Sequence, residues 1–162
     1  MDYFEGIYDS VNTLPTDRLI ELVSDPLNQG LEEADAAFLP LLEREPEIAM
    51  DLGIKLLVNS DGDDYMQATV WDVLIHRDPK RVIDAMRDRK ELIGISTLGS
   101  ILCGLEIWFP IMNIAELPKS FVELVVTSYN ALLTAWHVPY SSIPAEELQA
   151  GYEEFFRRVG RE

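Results

Sequence analysis

The sequence predicts an all-α fold in which antiparallel helix pairs either stack as a short repeat or pack as an irregular bundle. Two observations lead to this prediction: apolar residues recur at helical spacing, and the alternation expected of strands is almost absent. The spacing i, i+4, i+7, i+8 is shown by Met66, Val70, Val73 and Leu74, and again between Leu148 and Phe156. Short connections between these stripes make consecutive helices antiparallel neighbours, so we expect one helical domain over residues 1–162.

Ordinary start signals delimit the individual helices. Asp63 or Asp64 can cap the helix that follows Gly62, because a side-chain carboxylate accepts the free N–H groups of a first turn. Near the C-terminus, Ser142 with Pro144 opens the last helix. The expected helices lie near residues 2–12, 17–24, 31–44, 47–58, 64–76, 80–89, 91–105, 118–136 and 145–159.

The start of the helix near residue 118 allows two interpretations. Ser120 followed by Glu123 has the spacing of a capping box, in which each side chain satisfies a backbone N–H of the first turn. Pro118 would allow the helix to begin two residues earlier, since proline is favoured at a helix start. The residues alone leave both starts open.

One segment of the chain echoes another at an offset of 33 residues. Residues 42–51, LEREPEIAMD, align with residues 75–84, IHRDPKRVID, and match in arginine, acid, proline and aspartate. In each copy one helix ends at the acid before the proline, and the next helix begins at the proline. The echo predicts a helix-turn-helix unit, and a period in the thirties is typical of solenoid repeats.

Over residues 31–90 the chain resembles HEAT-like or armadillo-like helical repeats, on the helix, proline and helix pattern just described. By size, helical architecture and acidity it is also similar to some immunity proteins that accompany bacterial contact-dependent growth inhibition and related polymorphic toxins. That resemblance implies a role in binding and neutralising a cognate toxin. The resemblance does not assign a functional role to any individual residue of this chain.

Negative charge dominates the chain and is concentrated in its first 64 residues. The net charge is -16. Residues 1–64 contain 16 acidic and 3 basic residues, residues 65–90 contain 4 acidic and 6 basic residues, and residues 91–162 contain 9 acidic and 4 basic residues. An acidic surface repels nucleic-acid phosphates, which argues against binding of DNA or RNA and favours a basic protein partner. Ordinary solubility is the competing explanation, since many bacterial cytoplasmic proteins are acidic without an acidic binding patch.

Several features favour a cytoplasmic protein that neither spans a membrane nor forms an internal disulfide. The N-terminal MDYFEGIYDS lacks the basic and apolar regions of a secretion signal. The stretch from Leu92 to Ile114 is long enough to cross a membrane, but it contains Glu106, Pro110 and three glycines, so we expect a core helix and its connection. Cys103 is the only cysteine, and its apolar neighbours predict a small buried residue.

Two motifs that suggest metal binding or catalysis fail at the positions that their chemistry requires. The loop NSDGDD, residues 59–64, has the aspartates of a calcium loop, but placing Gly62 at its sixth position puts Leu57 and Ala68 at the first and last ligands. The triplet His-Arg-Asp at 76–78 occurs in protein kinases, but the glycine-rich loop and the Asp-Phe-Gly sequence are missing here. We interpret these segments as a capped turn and a helix end.

Histidine chemistry has little support in the sequence. Asp72 and His76 stand at i, i+4, a spacing that allows a carboxylate-imidazole hydrogen bond or a general-base pair, although a plain surface contact is commoner. The other histidine, His137, is too distant in sequence to form a helical ligand pair with His76. A metal-dependent hydrolase would need a repeated ligand pattern such as Glu-x-x-His, which the chain lacks, so we expect neither an enzyme nor a cofactor.

The leading hypothesis is an inhibitor that occludes the active site of a basic partner, most concretely a nuclease toxin, with an acidic surface. Trp71 lies off the apolar stripe and beside Asp72, which leaves two interpretations open: a partly exposed interface anchor, or a ring that packs against the adjacent repeat. Trp108 and Trp136 are expected in the core. The candidate partner-binding residues are Glu43, Glu45, Glu47, Asp61, Asp63, Asp64, Tyr65 and Trp71.

The second hypothesis is a general protein-interaction scaffold rather than an inhibitor of one partner. Helical repeats also serve as general scaffolds or adaptors that bind peptides in a groove, and such a protein would have many partners rather than one.

Overall fold

The computed structural model describes residues 3–113, 116–135 and 144–160, and within these ranges it contains eleven helices and no strand. The all-α prediction is therefore confirmed. Within those ranges none of the helices is long and apolar enough to cross a membrane. The helices are α1 Tyr3–Asn12, α2 Thr16–Ser24, α3 Pro26–Gln29, α4 Leu31–Arg44, α5 Pro46–Asn59, α6 Asp64–Ile75, α7 Pro79–Met86, α8 Ile95–Cys103, α9 Leu105–Trp108, α10 Lys119–Thr134 and α11 Ala145–Val159.

Most helix starts coincide with the signals that the sequence offers. Asp63 is the N-cap of α6, and its side chain accepts the backbone N–H of Met66 at 2.8 Å. Pro118 occupies the N-cap position of α10, which settles that helix start in favour of the proline rather than Ser120. Pro144 precedes α11 as expected, while Ser142 lies outside the described residues.

The largest disagreement concerns the helix expected at 91–105. It begins only at Ile95 and ends at Cys103, with the short α9 continuing separately. The cause is Arg89, whose guanidinium donates to the backbone carbonyls of Glu91 and Leu92 and so holds the segment before Gly94 out of helical geometry. The short helix α3 was also not predicted, although it begins at a proline.

The two echoed segments lie against each other. Pro46 and Pro79 are the first residues of α5 and α7, as the echo predicts. Arg81 of α7 forms ion pairs with Glu47 and Asp51 of α5, so the two copies are also linked by charge. The capping chemistry differs between them, because Asp78 accepts the N–H of Arg81 whereas no side-chain cap is formed at the start of α5.

Helices that are separated by one or two helices in the chain contact each other repeatedly. One series of neighbours runs through α4, α6, α8 and α11, and another runs through α2, α5, α7 and α10. The apolar faces of both series meet in one cluster of buried residues that extends from Val11 to Phe155. Whether this arrangement is a HEAT-like repeat stays a prediction.

A buried arginine fixes the turn between α5 and α6. The Arg89 guanidinium donates to the carbonyl oxygen of Leu57 and to Oε1 of Gln67, each at 2.8 Å, and contacts Ser60 Oγ at 3.3 Å. Ser60 and Gly62 both adopt positive φ in this turn, at 57° and 70°. Because Arg89 ties the end of α5 to α6, it sets the position of the loop that leads to Asp63.

Candidate functional site

A cleft of about 330 Å³ opens between α1, α4 and the start of α6. Its lining combines apolar side chains, carboxylates and two phenol rings, a mixture suited to binding rather than to core packing. We call it the acidic cleft. The lining residues are Ile7, Tyr8, Leu31, Glu32, Asp35, Ala36, Asp63 and Tyr65.

Helix geometry explains how these side chains meet. Asp35 lies four residues after Leu31 and three before the fully buried Phe38, so it occupies the inward-facing side of α4. Asp63 is fixed by its capping bond to the first turn of α6, and Tyr65 follows within the same turn. The cleft is thus built on three helices rather than on flexible loops.

Asp35 is the most unusual group in the cleft. Its side chain is partly buried, and its Oδ1 atom is fully buried without a hydrogen-bond partner among the described residues. The pKa of this carboxyl is raised to about 6, chiefly by burial; the Thr69 hydroxyl opposes the shift, and the negative charge of Asp63 contributes to it. A carboxylate held in this state gains from a cation or donor that satisfies it.

Two tyrosines stand at the rim of the cleft. Tyr8 is 46% exposed and Tyr65 is 68% exposed, which is high for rings of this size. The pKa of the Tyr8 hydroxyl is raised, first by burial and then by the nearby Asp35 and Tyr65, so these three groups lie within electrostatic range of one another. Both rings therefore present aromatic surface beside carboxylates.

The sequence-predicted partner residues do not form one surface. Asp63 and Tyr65 line the acidic cleft, and Asp61 lies in the turn just before them. Glu43 and Glu45 are exposed toward the C-terminal end of α4, about 12 and 15 Å from Asp35 along the helix axis at 1.5 Å per residue. Glu47 is exposed beside them and is paired with Arg81. The predicted acidic patch is therefore divided in two.

Two of the predicted residues have structural rather than surface roles. Asp64 points at the start of α8, where its carboxylate accepts the backbone N–H groups of Ser96 at 2.6 Å and Thr97 at 3.1 Å. Of the two interpretations of Trp71, the exposed interface anchor is wrong, because the ring is 0% exposed and stacks on Phe121 with centroids 6.2 Å apart. α6 packs against α8 as well as α5, so a position off its main stripe is also buried.

The other tryptophans follow a simpler pattern. Trp108 is fully buried as predicted, and its indole N–H donates to the carbonyl of Ile101 at 3.1 Å. Trp136 lies outside the described residues. Since Trp71 has no hydrogen-bond partner for its own buried N–H among the described residues, the two buried indoles differ in how well their polar atoms are satisfied.

The possible Asp72–His76 pair takes another form. His76 Nδ1 lies 2.6 Å from the backbone carbonyl oxygen of Asp72, while the Asp72 carboxylate accepts the Ser100 hydroxyl at 3.2 Å. In the described part of the chain, His, Cys, Asp and Glu side chains form no group of three that could hold a metal ion. His137 lies outside those residues.

The expected burial of Cys103 is also wrong, because this residue is exposed. Partial burial of the thiol raises its pKa, and the negative charge of Glu147 raises it further. Both effects disfavour the thiolate, so the site lacks the electropositive surroundings of a reactive cysteine.

Sequence reasoning missed Tyr8, Glu32 and Asp35. One signal was available for Asp35, which interrupts the apolar stripe of α4 between Leu31 and Phe38 and so had to be a partly buried acid. No comparable signal existed for Tyr8, because its position beside Asp35 depends on how α1 packs on α4.

The chain was compared with protein-family models, curated proteins and solved structures, and none of the three comparisons found a match.

Proposed function

We propose that this protein binds a basic partner protein through the acidic cleft and its rim, and that it neutralises that partner as an immunity protein neutralises a cognate toxin. The observation that carries the proposal is the pairing of two exposed tyrosines, Tyr8 and Tyr65, with three carboxylates at one concave site. Exposed aromatic rings beside acids are the composition expected of a binding surface for a basic protein.

Charge supports the choice of a basic partner. Residues 1–64 hold 16 acidic and 3 basic residues, and the cleft lies within this half of the chain apart from Tyr65. A field of one sign accelerates encounter with an oppositely charged surface and repels nucleic acid. A basic nuclease domain is the most concrete candidate, because carboxylates can take the places that substrate phosphates would occupy.

Steering by charge is not sufficient for neutralisation. A nanomolar complex needs about 12 kcal/mol of binding free energy, and exposed ion pairs contribute only about 1 kcal/mol or less each. The tyrosine rings supply the apolar contact area that charges lack, since aromatic anchors near the centre of an interface carry much of its binding energy. The cleft combines both contributions.

The gene neighbourhood offers the sharpest test. A neighbouring reading frame for a large secreted protein with a variable C-terminal domain is expected. Expression of that domain alone should stop growth, and co-expression of this protein should restore growth. The two purified proteins should form a complex that salt weakens. Failure to protect or to bind would contradict the proposal, as would the absence of such a neighbour.

A matched pair of variants ties protection to the cleft. The double variant Tyr8→Ala/Tyr65→Ala should lose protection at equal protein level, because it removes both exposed rings without removing a charge. The control Glu123→Gln, at an exposed position on α10, should protect like the wild type. Equal protection by both variants would move the binding surface away from the cleft.

A further inference from the structure

We infer that the acidic cleft is the binding site for one arginine side chain of the partner, which lies between the rings of Tyr8 and Tyr65 with its guanidinium against Asp35. This inference rests on the proposed function, since it names the chemistry that the partner presents to the same site. It starts from the cavity and from the state of Asp35 within it.

The size and lining of the cleft suit a single long side chain. A volume of about 330 Å³ is at the lower end of the range for ligand sites, which run from roughly 300 to 1,000 Å³. Ile7, Leu31 and Ala36 supply apolar surface that can cover the methylene stem of an arginine. Such a side chain keeps its charged end at the polar part of a site while it buries its stem.

The charges in the cleft select a cation. The titratable side chains that line it are Tyr8 from α1, Glu32 and Asp35 from α4, Asp63 at the cap of α6 and Tyr65 from its first turn. Within the described residues, no basic side chain belongs to the lining. The repulsion among these carboxylates is therefore not compensated inside the cleft, and a bound cation would relieve it.

Asp35 favours a guanidinium over an ammonium group. Its carboxylate is only partly buried and lines the cleft, so it offers an acceptor to a group bound there, while its fully buried Oδ1 atom lacks a hydrogen-bond partner among the described residues. Guanidinium has five donors in a planar fork, it binds carboxylates in a bidentate manner, and it stacks on aromatic rings. An ammonium group is more strongly hydrated and lacks a planar face for the two tyrosines.

The test uses the full chain and a short synthetic peptide. Acetyl-Gly-Arg-Gly-amide is titrated into the ¹⁵N-labelled protein, and backbone amide shifts are followed by NMR. Saturable shifts should map to residues around Asp35 and Tyr65. The citrulline counterpart, which has the same shape without the charge, should bind at least tenfold more weakly, and the lysine counterpart should bind several-fold more weakly.

Two variants keep the test specific. Asp35→Asn removes the charge with little change in shape and should weaken arginine binding at least fivefold, whereas Glu123→Gln on α10 should leave it unchanged. Equal binding of the arginine and citrulline peptides, shifts that map elsewhere, or an unaffected Asp35→Asn variant would overturn the inference.

The two proposals can fail separately. Arginine binding at the cleft without any neutralised partner would leave this inference standing and refute the proposed function. A neutralised partner whose binding is unaffected by Asp35→Asn would refute the arginine-binding site and leave the proposed function standing.

Discussion

The carboxylate of Asp64 occupies the space that a side chain at position 94 would need. A Cβ atom built on Gly94 would lie 2.3 Å from Cγ of Asp64, far inside van der Waals contact. This close approach lets Asp64, on α6, accept the backbone N–H groups of Ser96 and Thr97 at the start of α8. One helix therefore caps another, and the glycine is required for it.

We predict that Asp64→Ala destabilises the protein by about 2 kcal/mol, because two backbone donors of α8 lose a charged acceptor. Gly94→Ala should lower the free energy of unfolding by a similar amount, since the added methyl group displaces the same carboxylate. Urea unfolding of both single variants and of the double variant measures this. The double variant should lose clearly less unfolding free energy than the two single variants lose together, because both changes remove the same interaction. Additive costs would show that Gly94 acts independently of Asp64.

Asp35 should reduce stability at neutral pH. Its folded pKa of about 6 lies above its ordinary value of 3.8, so the fold disfavours the ionised form. The free energy of unfolding should therefore fall as the pH rises from about 4 to about 6 and stay lower above that range. Asp35→Asn should remove this contribution and stabilise the protein at pH 7.5 by about 1 kcal/mol, after a discount for partial exposure.

Urea midpoints of wild type and Asp35→Asn at pH 4.5 and pH 7.5 check this expectation. The advantage of the variant should be large at the higher pH and small at the lower one, and comparison of the two proteins cancels the other titrating acids. A variant that is less stable than wild type at pH 7.5 would mean that the ionised carboxylate is well satisfied in the fold. A stabilising change that also weakens partner binding is the usual sign of a functional site.

Trp71 should matter for stability and not for binding. Trp71→Phe keeps most of the ring that stacks on Phe121 and removes an N–H that has no partner among the described residues, so its cost should be only about 1 kcal/mol. Trp71→Ala should cost about 4 kcal/mol because it leaves a large cavity. Calorimetric titration with the partner should give an unchanged Kd for Trp71→Phe and a much higher Kd for Tyr65→Ala. A weakened Trp71→Phe complex would restore Trp71 as a candidate contact.

Most helix positions were readable from the sequence because their starts carry a local signal. Pro46, Pro79 and Asp63 all stand where proline geometry or side-chain capping places the start of a helix. The helix near residue 91 could not be placed correctly, since its delayed start depends on Arg89 reaching the carbonyls of Glu91 and Leu92 from a buried position. Local propensity contains no information on that contact.

The candidate site was predictable only in part, for a related reason. Tyr65 and Asp63 could be singled out because acids and an aromatic residue follow one another in the chain. Their neighbours in the cleft come from α1 and α4, so only tertiary packing brings them together. The same packing buries Trp71 and turns Asp64 toward α8, which a single-helix pattern cannot foresee.

The two ends of α4 provide a matched test of where the partner binds. Glu32→Gln/Asp63→Asn removes two charges at the cleft and keeps an N-cap for α6, whereas Glu43→Gln/Glu45→Gln removes two charges at the far end. At about 0.15 M salt the Debye length is roughly 8 Å, so charges about 12 to 15 Å from Asp35 are largely screened. Stopped-flow association with the partner should slow several-fold for the cleft pair and change little for the far pair. Equal slowing would mean that net charge, rather than the cleft, controls encounter.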